Sequence, residues 1–208
     1  MDFWTSLEQI ADRHDVLRHS FYQRWSAGEL SRGELADYSG QYRHAVVALA
    51  SASASAAAHA DGDLADQLAV HGAEEAAHIE LWDQFVDAVG GDHGAAPNPE
   101  TARCAASWAG DDQRDLLGTL VALYAIESAQ PAISRTKREG LAEHYDVDGH
   151  GAEYFELHER LDIEHAAAAR ALIEARLPAS EVEPLLSEAE RVLRANWELL
   201  DGVERRAA

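Results

Sequence analysis

The sequence predicts an all-α protein, organised as one domain over residues 1–208. No stretch longer than a few residues alternates apolar and polar side chains as a half-buried strand would, and every long segment spaces its apolar residues like a helix. At 208 residues the chain is long enough to bury a core around a polar site, and no linker divides it. We therefore expect about seven helices in a single bundle.

Start and stop signals place the helices in order. Residues 2–14 and 15–28 are expected to form two short helices or one bent helix. Ser31 and Glu34 have the spacing of a capping box, which predicts the start of a long helix. Pro131 is expected to kink a later helix, because proline lacks the amide that continues the hydrogen-bonded ladder. The remaining expected helices cover residues 31–59, 64–89, 100–108, 113–144 with a cap at Asp111, about 152–176 and 180–205.

A run of alanine and serine over residues 50–58 lies in the first long helix. Such a run has the composition of a low-complexity segment, but small side chains also let two helices approach closely. We interpret the run as a packing surface for a neighbouring helix.

The charge balance excludes two classes of partner. With 17 Lys and Arg against 38 Asp and Glu, the formal net charge is -21, which repels nucleic acid and anionic membrane surfaces. A single cysteine, Cys104, excludes an internal disulfide framework and fits a reducing compartment. No signal peptide is recognisable and no window approaches the roughly 18 apolar residues of a membrane span, so we expect a cytoplasmic protein without such a span.

One predicted helix carries metal-ligand residue types on a single face. His158, Asp162 and His165 fall within about 60° of one another on an α-helix, so two imidazoles and a carboxylate point the same way. This is half of a metal site, and other helices would have to supply the rest.

Two further helices offer such residues. Glu75 and His78 form a Glu-x-x-His pair of the kind found in dinuclear sites of helical bundles, and Glu74 and His71 lie close to the same face. Glu127 follows an apolar run in which an unpaired carboxylate would be costly. Each residue alone has an ordinary structural explanation, such as a hydrogen-bonded histidine or a neutralised glutamate. The prediction of a metal site depends on their conjunction.

The ligand types favour iron, or iron together with manganese. Structural zinc prefers closed tetrahedral sites rich in thiolate, and calcium prefers oxygen ligands. A mixed set of imidazoles and carboxylates without cysteine suits redox iron and manganese better.

Several segments resemble one known family. The residues that carry the resemblance are 19–25, 28–30, 41–44 and 78–82, then Glu127 and Ser128 with Pro131 and Lys137, and the His158/Asp162/His165 motif. Over residues 15–175 the chain resembles the haem-oxygenase-like diiron oxidase superfamily, and most of all the p-aminobenzoate synthases related to the chlamydial protein associating with death domains. The resemblance implies a seven-helix haem-oxygenase-like fold without haem, a dinuclear Fe/Fe or Mn/Fe centre, O2 activation and an external reductant.

By position, the resemblance also implies the site residues. The implied metal ligands are a glutamate at position 74 or 75, then His78, Glu127, His158, Asp162 and His165. In the p-aminobenzoate synthases a tyrosine of the enzyme itself is consumed as the source of the ring, and a lysine is implicated as the amino donor. These positions fall on Tyr22 and Lys137, with Tyr154 as a further tyrosine beside the site. Members of the group are often dimers, so a homodimer is expected by analogy.

The chain departs from that group at two positions. The group's first glutamate stands seven residues before the ligand histidine, where this chain has His71, so Glu74, Glu75 and His71 all remain candidates to complete the site. Ile126 stands where the group has a tyrosine. From the residues alone, Tyr22 fits equally well as a core aromatic and Lys137 as a salt-bridge partner.

Three functions remain open at this point. The first is an O2-activating oxidase, which acts on its own side chains or on an external small molecule such as an amino acid or a fatty acid. The second is a metal-free enzyme of the TenA (thiaminase II) type, which relies on a cysteine nucleophile on the helix that here holds Glu127, whereas Cys104 lies on another predicted helix. The third is a non-catalytic interaction protein, which would leave the inward ligand residues unexplained.

Overall fold

The computed structural model describes residues 2–207, which form nine α-helices and no strand. The helices are α1 (Phe3–Arg13), α2 (Ser20–Ser26), α3 (Arg32–Ala58), α4 (Gly62–Val89), α5 (Pro99–Ala109), α6 (Leu116–Glu127), α7 (Gln130–His144), α8 (Glu153–Glu174) and α9 (Val182–Ala207). The predicted all-α class is confirmed. The count exceeds seven because the N-terminal segment forms two helices and the segment over residues 113–144 is divided. The single domain over residues 1–208 stays a prediction.

Helix α6 is enclosed by the other helices. Of its side chains from Leu117 to Glu127, only Tyr124 is not buried, so it is apolar on all sides, as an enclosed helix must be. The segment Leu116–His144 is long and apolar enough to cross a membrane by length and composition, so the expectation that no such window exists was wrong. However, 67% of its apolar window is buried inside the fold, as in the core helix of a soluble protein.

Pro131 breaks the helix that it was expected only to kink. Helix α6 ends at Glu127 and α7 begins at Gln130. Proline has no amide to donate, and its ring would clash with the carbonyl four residues earlier, which is that of Glu127. The break therefore leaves the Glu127 carboxylate at the end of a buried helix.

The expected start of this segment was also wrong. Asp115 caps α6 by accepting a hydrogen bond from the Gly118 amide at 2.8 Å. Asp111, the expected cap, instead accepts from the Gln113 amide at 3.0 Å and holds the preceding turn. Both aspartates have suitable side chains, and the one next to the apolar run begins the helix.

Helices α3 and α4 pack closely through small side chains. A Cβ atom built on Gly72 would lie 3.2 Å from the backbone nitrogen of Ala54 and 3.3 Å from its Cα. Ala52 and Ala56 of α3 are fully buried. The interpretation of the Ala/Ser run as a packing surface is therefore confirmed, and this contact fixes α4 against α3.

Helix α8 packs against α6 and α7 and also contacts α4, while α9 packs against α5 and α6. The faces of α4, α6 and α8 that carry the candidate ligands therefore meet inside the bundle. A second close approach joins α7 to α2, where Trp25 lies over Gly140 and donates from Nε1 to the carbonyl of Lys137 at 3.1 Å.

Replacing Gly140 by alanine should destabilise the fold. The new Cβ would lie 2.6 Å from Cδ1 of Trp25, and relieving that overlap displaces a buried indole. Overpacking of this kind costs about 1–3 kcal/mol, which exceeds the gain of up to about 1 kcal/mol from replacing glycine in a helix. Urea denaturation should therefore show a net loss of about 1 kcal/mol.

Gly33 provides the matched control. It is also helical, and its nearest contact for a Cβ is the Ser31 hydroxyl oxygen at 3.9 Å, so Gly33→Ala should be neutral or stabilising by about 0.5 kcal/mol. If Gly140→Ala were as stable as the wild type, Trp25 would not be held as tightly as its contacts indicate.

Candidate metal centre

Helices α4 and α8 carry the same ligand spacing, His-x3-acid-x2-His. The two sets are His71, Glu75 and His78 on α4, and His158, Asp162 and His165 on α8. The imidazole rings pair across the two helices, with His71 against His165 at 4.2 Å between ring centroids and His78 against His158 at 4.7 Å. The two faces therefore meet in antiparallel fashion, with the two acids between the histidine pairs.

Glu127 makes the two ends of this arrangement unequal. Its Oε1 lies 3.4 Å from Nε2 of His71, and it forms one potential ligand group with His71 and His165. A second group joins Glu75 to His78 and His158, and a third joins Glu75 to Asp162 and His165. Glu75 thus takes part in groups at both ends of the cluster.

The chemistry of the cluster fits metal binding. Nine of its ligand atoms are buried and make no hydrogen bond. They are Nε2 of His71, Oε1 of Glu75, Nδ1 of His78, both carboxylate oxygens of Glu127, Nε2 of His158, both carboxylate oxygens of Asp162 and Nδ1 of His165. Buried polar atoms are nearly always paired, so a concentration of unpaired oxygen and nitrogen atoms indicates a position that a cation completes.

The backbone fixes the tautomer of one imidazole. Nδ1 of His158 lies 2.7 Å from the carbonyl oxygen of Tyr154, which can only accept, so Nδ1 carries the proton. Nε2 is therefore free to offer its lone pair to the cluster. Metal-bound histidines usually have such a partner for the second ring nitrogen, which sets both the tautomer and the ring orientation.

Two acids of the cluster have raised pKa values, whereas burial of Glu75 is outweighed by its contact with His78 and the nearby histidines, which lower its pKa. Burial raises the pKa of Glu127, although His71 beside it opposes the shift. Burial likewise raises the pKa of Asp162, against the effect of His165. His165 shows the reverse balance, because its contact with Asp162 and the charge of Glu127 outweigh burial and raise its pKa to about 9. Without a metal, the raised pKa values of Glu127, Asp162 and His165 favour proton uptake by these three groups.

The structure distinguishes Glu75 from Glu74. The Glu75 side chain is 2% exposed, and its Oε1 lies 3.2 Å from Nδ1 of His78. The Glu74 side chain is 45% exposed and reaches only the outer side of His165, at 3.4 Å from Nε2. His71, the third candidate, belongs to the cluster in addition to Glu75.

A second buried site surrounds Lys137. Its Nζ lies over five aromatic rings at centroid distances of 4.5–5.6 Å, namely Tyr22, Tyr38, Tyr42, Trp82 and Phe155. We call this set the aromatic box. Lys137 is 1% exposed, and burial lowers the pKa of its amine to about 7. The side chain therefore lies among aromatic rings and not in a salt bridge.

The predicted tyrosines lie within or next to this box. The hydroxyl oxygens of Tyr22 and Tyr38 are 2.8 Å apart, a hydrogen bond in which either can donate. Tyr154 stacks on His158 with 3.9 Å between ring centroids, so it separates the metal cluster from the box. Burial raises the pKa of both Tyr22 and Tyr154, which keeps their phenols protonated.

Cys104 is not placed as a nucleophile. It is fully buried on α5, away from the helix that ends at Glu127, and burial raises the pKa of its thiol. A nucleophilic cysteine needs a depressed pKa and access to substrate.

Two sequence features support residues that were already candidates. His71, one of the three candidates to complete the site, gives α4 the same His-x3-acid-x2-His spacing as α8. Lys137 is the only lysine among the 17 basic residues, which sets it apart from the surface cations. The remaining members of the aromatic box come from distant segments and share no spacing.

Comparison with protein families places the chain among redox enzymes. The model of a family described as iron-containing redox enzymes matches residues 37–197. The 4-aminobenzoate synthase of Chlamydia pneumoniae is 29% identical, over 96% of this chain and 94% of that protein. The 4-aminobenzoate synthase of Nitrosomonas europaea is 31% identical, over 97% of this chain and 90% of that protein.

Solved structures support the fold alone. A TenA homologue from P. horikoshii superimposes with a TM-score of 0.79 at 15% identity, over 98% of this chain and 96% of the other. A domain with a haem-oxygenase-like fold from Shewanella denitrificans gives a TM-score of 0.77 at 17% identity, over 100% and 94%. The predicted haem-oxygenase-like bundle is therefore confirmed.

Loss of Glu75 should weaken iron binding far more than loss of Glu74. Glu75→Gln removes a buried charged oxygen from the centre of the cluster and should lower Fe(II) affinity by at least about tenfold, since even the outer partners of metal ligands contribute that much. Glu74→Gln, one residue away and half exposed, should bind nearly as the wild type does. Anaerobic titration against a competing chelator measures the Fe(II) affinity of both variants. If Glu74→Gln weakened binding more than Glu75→Gln, Glu74 and not Glu75 would be the ligand.

The Lys137 amine should make stability depend on pH in a defined window. Its pKa is about 7 when folded against 10.5 for the ordinary side chain, so between these values the unfolded state binds a proton that the folded state lacks. The free energy of unfolding therefore rises with pH across this window, by up to about 1.4 kcal/mol per pH unit. Below and above the window this contribution no longer changes with pH.

Lys137→Met removes that dependence. Urea denaturation of both proteins at pH 7.5 and 9.5 should show the wild type gaining about 2 kcal/mol relative to the variant, because all other titrating groups are shared. Parallel pH profiles for the two proteins would show that the buried amine keeps its proton.

Proposed function

The chain belongs to the family of iron-containing redox enzymes, and on that basis we propose that it activates O2 at a dinuclear non-haem centre, Fe/Fe or Mn/Fe. We propose further that it makes 4-aminobenzoate, with the ring taken from its own Tyr22 and the nitrogen from Lys137. The enzyme would use an external reductant and act in the cytoplasm as a homodimer, without nucleic acid or membrane partners.

The nine buried ligand atoms without hydrogen bonds carry the proposal of two metals. One position would be held by His71, Glu127 and His165, and the other by His78 and His158. Glu75 belongs to ligand groups at both ends and could contribute to both positions, and Asp162 forms a group with Glu75 and His165. A metal pair bound there would supply the oxidising equivalents from O2.

The aromatic box supports Tyr22 and Lys137 as the reacting groups. Nζ of Lys137 lies 5.3 Å from the centroid of the Tyr22 ring, and both side chains are at most 2% exposed. Because the pKa of the amine is about 7, a substantial fraction is neutral near neutral pH and has a lone pair available. The tyrosine ring together with its Cβ has the carbon skeleton of 4-aminobenzoate.

Continuous aromatic contacts join the metal cluster to Tyr22. Tyr154 stacks on His158 and contacts Trp82 at 4.9 Å between centroids. Trp82 contacts Tyr38 at 6.1 Å, and Tyr38 is hydrogen bonded to Tyr22. These rings offer a water-free connection over which an oxidation at the cluster can affect a tyrosine that does not touch it.

Isotope labelling tests the origin of the product. Because Lys137 is the only lysine, ε-15N-lysine labels one side chain of the protein. Protein labelled with ε-15N-lysine and ring-13C-tyrosine, loaded anaerobically with iron or with manganese and iron and then given reductant and O2, should release 4-aminobenzoate that carries both labels. The yield should not exceed one molecule per chain, and mass spectrometry of the released product measures it.

Removal of single tyrosine hydroxyl groups identifies the tyrosine that supplies the ring of the product. Tyr22→Phe should abolish release, whereas Tyr38→Phe removes only the hydrogen-bond partner and should reduce release without abolishing it. Tyr124→Phe, on the part of α6 that packs against Trp4, is the control for an unrelated tyrosine. Unlabelled product, or labelled product from Tyr22→Phe, would contradict the self-processing proposal. Consumption of a supplied amino acid or fatty acid without labelled product would favour an external substrate.

A further inference from the structure

An apolar pocket opens between α4, α6 and α8 on the side of the cluster away from the aromatic box. Its volume is about 220 Å³. Most of its wall is aliphatic, formed by Leu68, Val70, Leu120, Leu123, Ala168 and Leu172. Val70 is 60% exposed, so the pocket reaches the surface at that rim.

The inner end of the pocket touches only one end of the metal cluster. His71, Glu127 and His165 line it, whereas His78 and His158, at the other end, do not. The latter two lie beside Tyr154 and Trp82 instead. A molecule that enters here would therefore meet the metal position held by His71, Glu127 and His165.

The chemistry of the wall selects an uncharged occupant. Outside the metal cluster the lining residues include no lysine, arginine or histidine, so the aliphatic wall has no cationic side chain for a carboxylate or phosphate. Glu74 lies at the pocket and is 45% exposed, which further disfavours anions. The carboxylate of an amino acid or a fatty acid would find no partner along this wall, whereas a small neutral apolar molecule loses little on leaving water for such a surface.

We propose that this pocket binds dioxygen and delivers it to the His71/Glu127/His165 end of the cluster. This inference rests on the proposed function, in which O2 is consumed while the organic atoms come from the protein itself. The two ends of the cluster then have different roles. O2 reaches one end through the aliphatic pocket, and the side chains to be oxidised lie at the other end, beyond Tyr154.

Xenon binding tests the pocket without any catalysis. Xenon occupies apolar cavities of this size and is a probe for small neutral gases. Metal-free protein under xenon pressure should show a bound atom next to Leu120 and Leu172, by diffraction or by methyl shifts in NMR spectra. Ala168→Phe places a ring over the pocket from an exposed position on α8 and should remove that xenon atom. Ala167→Phe, one residue earlier, exposed and outside the pocket, should retain it.

The metal-loaded protein gives the second measurement. Ala168→Phe should raise the apparent KM for O2 several-fold, with the lost rate recovered as O2 is increased, while Ala167→Phe should match the wild type. Stopped-flow O2 consumption measures this whether or not 4-aminobenzoate is formed, so failure of the proposed product does not mask the result. Absence of xenon from the pocket, or an unchanged O2 dependence in Ala168→Phe, would overturn the proposal.

Discussion

Three buried carboxylates meet two buried and two partly buried imidazoles in an apolar bundle, with most of their ligand atoms making no hydrogen bond, and the rest of the structure holds that arrangement in place. Unpaired charge in such surroundings costs several kcal/mol, so the groups hold either protons or a cation. Burial raises the pKa of Glu127 and Asp162, which favours the first outcome in the metal-free protein. Close packing of α3 on α4 and the break at Pro131 hold the ligands in place despite that cost.

The two ends of the cluster carry nearly the same ligands but have different surroundings. Two helices contribute the same spacing, and Glu127 adds a third carboxylate at one end only. Aliphatic side chains adjoin that end, whereas stacked aromatic rings adjoin the other. Two metals bound here would differ in the charge of their ligands and in the molecules that could reach them. These differences are a physical basis for a mixed-metal centre and for different roles of the two metal positions.

Much of this arrangement could be predicted from local spacing. The helical class, the α8 motif and the Glu75/His78 pair follow from periodicity, and the isolated carboxylate after an apolar run indicated Glu127. Local signals failed where competing caps were equally suitable, as with Asp111 and Asp115, and where proline could either kink or break a helix. The choice of Glu75 over Glu74 and the box around Lys137 depend on how distant helices pack, which no spacing in one segment reveals.

Lys137 is best explained by the chemistry of a primary amine. The other basic residues are all arginine, so this position is not one of many interchangeable cations. Arginine would remain charged there, because a guanidinium does not lose its proton in proteins, and an apolar side chain would fill the space without the cost of burying an amine. A lysine with a pKa of about 7 offers what neither can, a nitrogen that is neutral part of the time. The aromatic rings stabilise its charged form through their π faces and exclude water, so proton loss from Nζ leaves a neutral amine beside Tyr22.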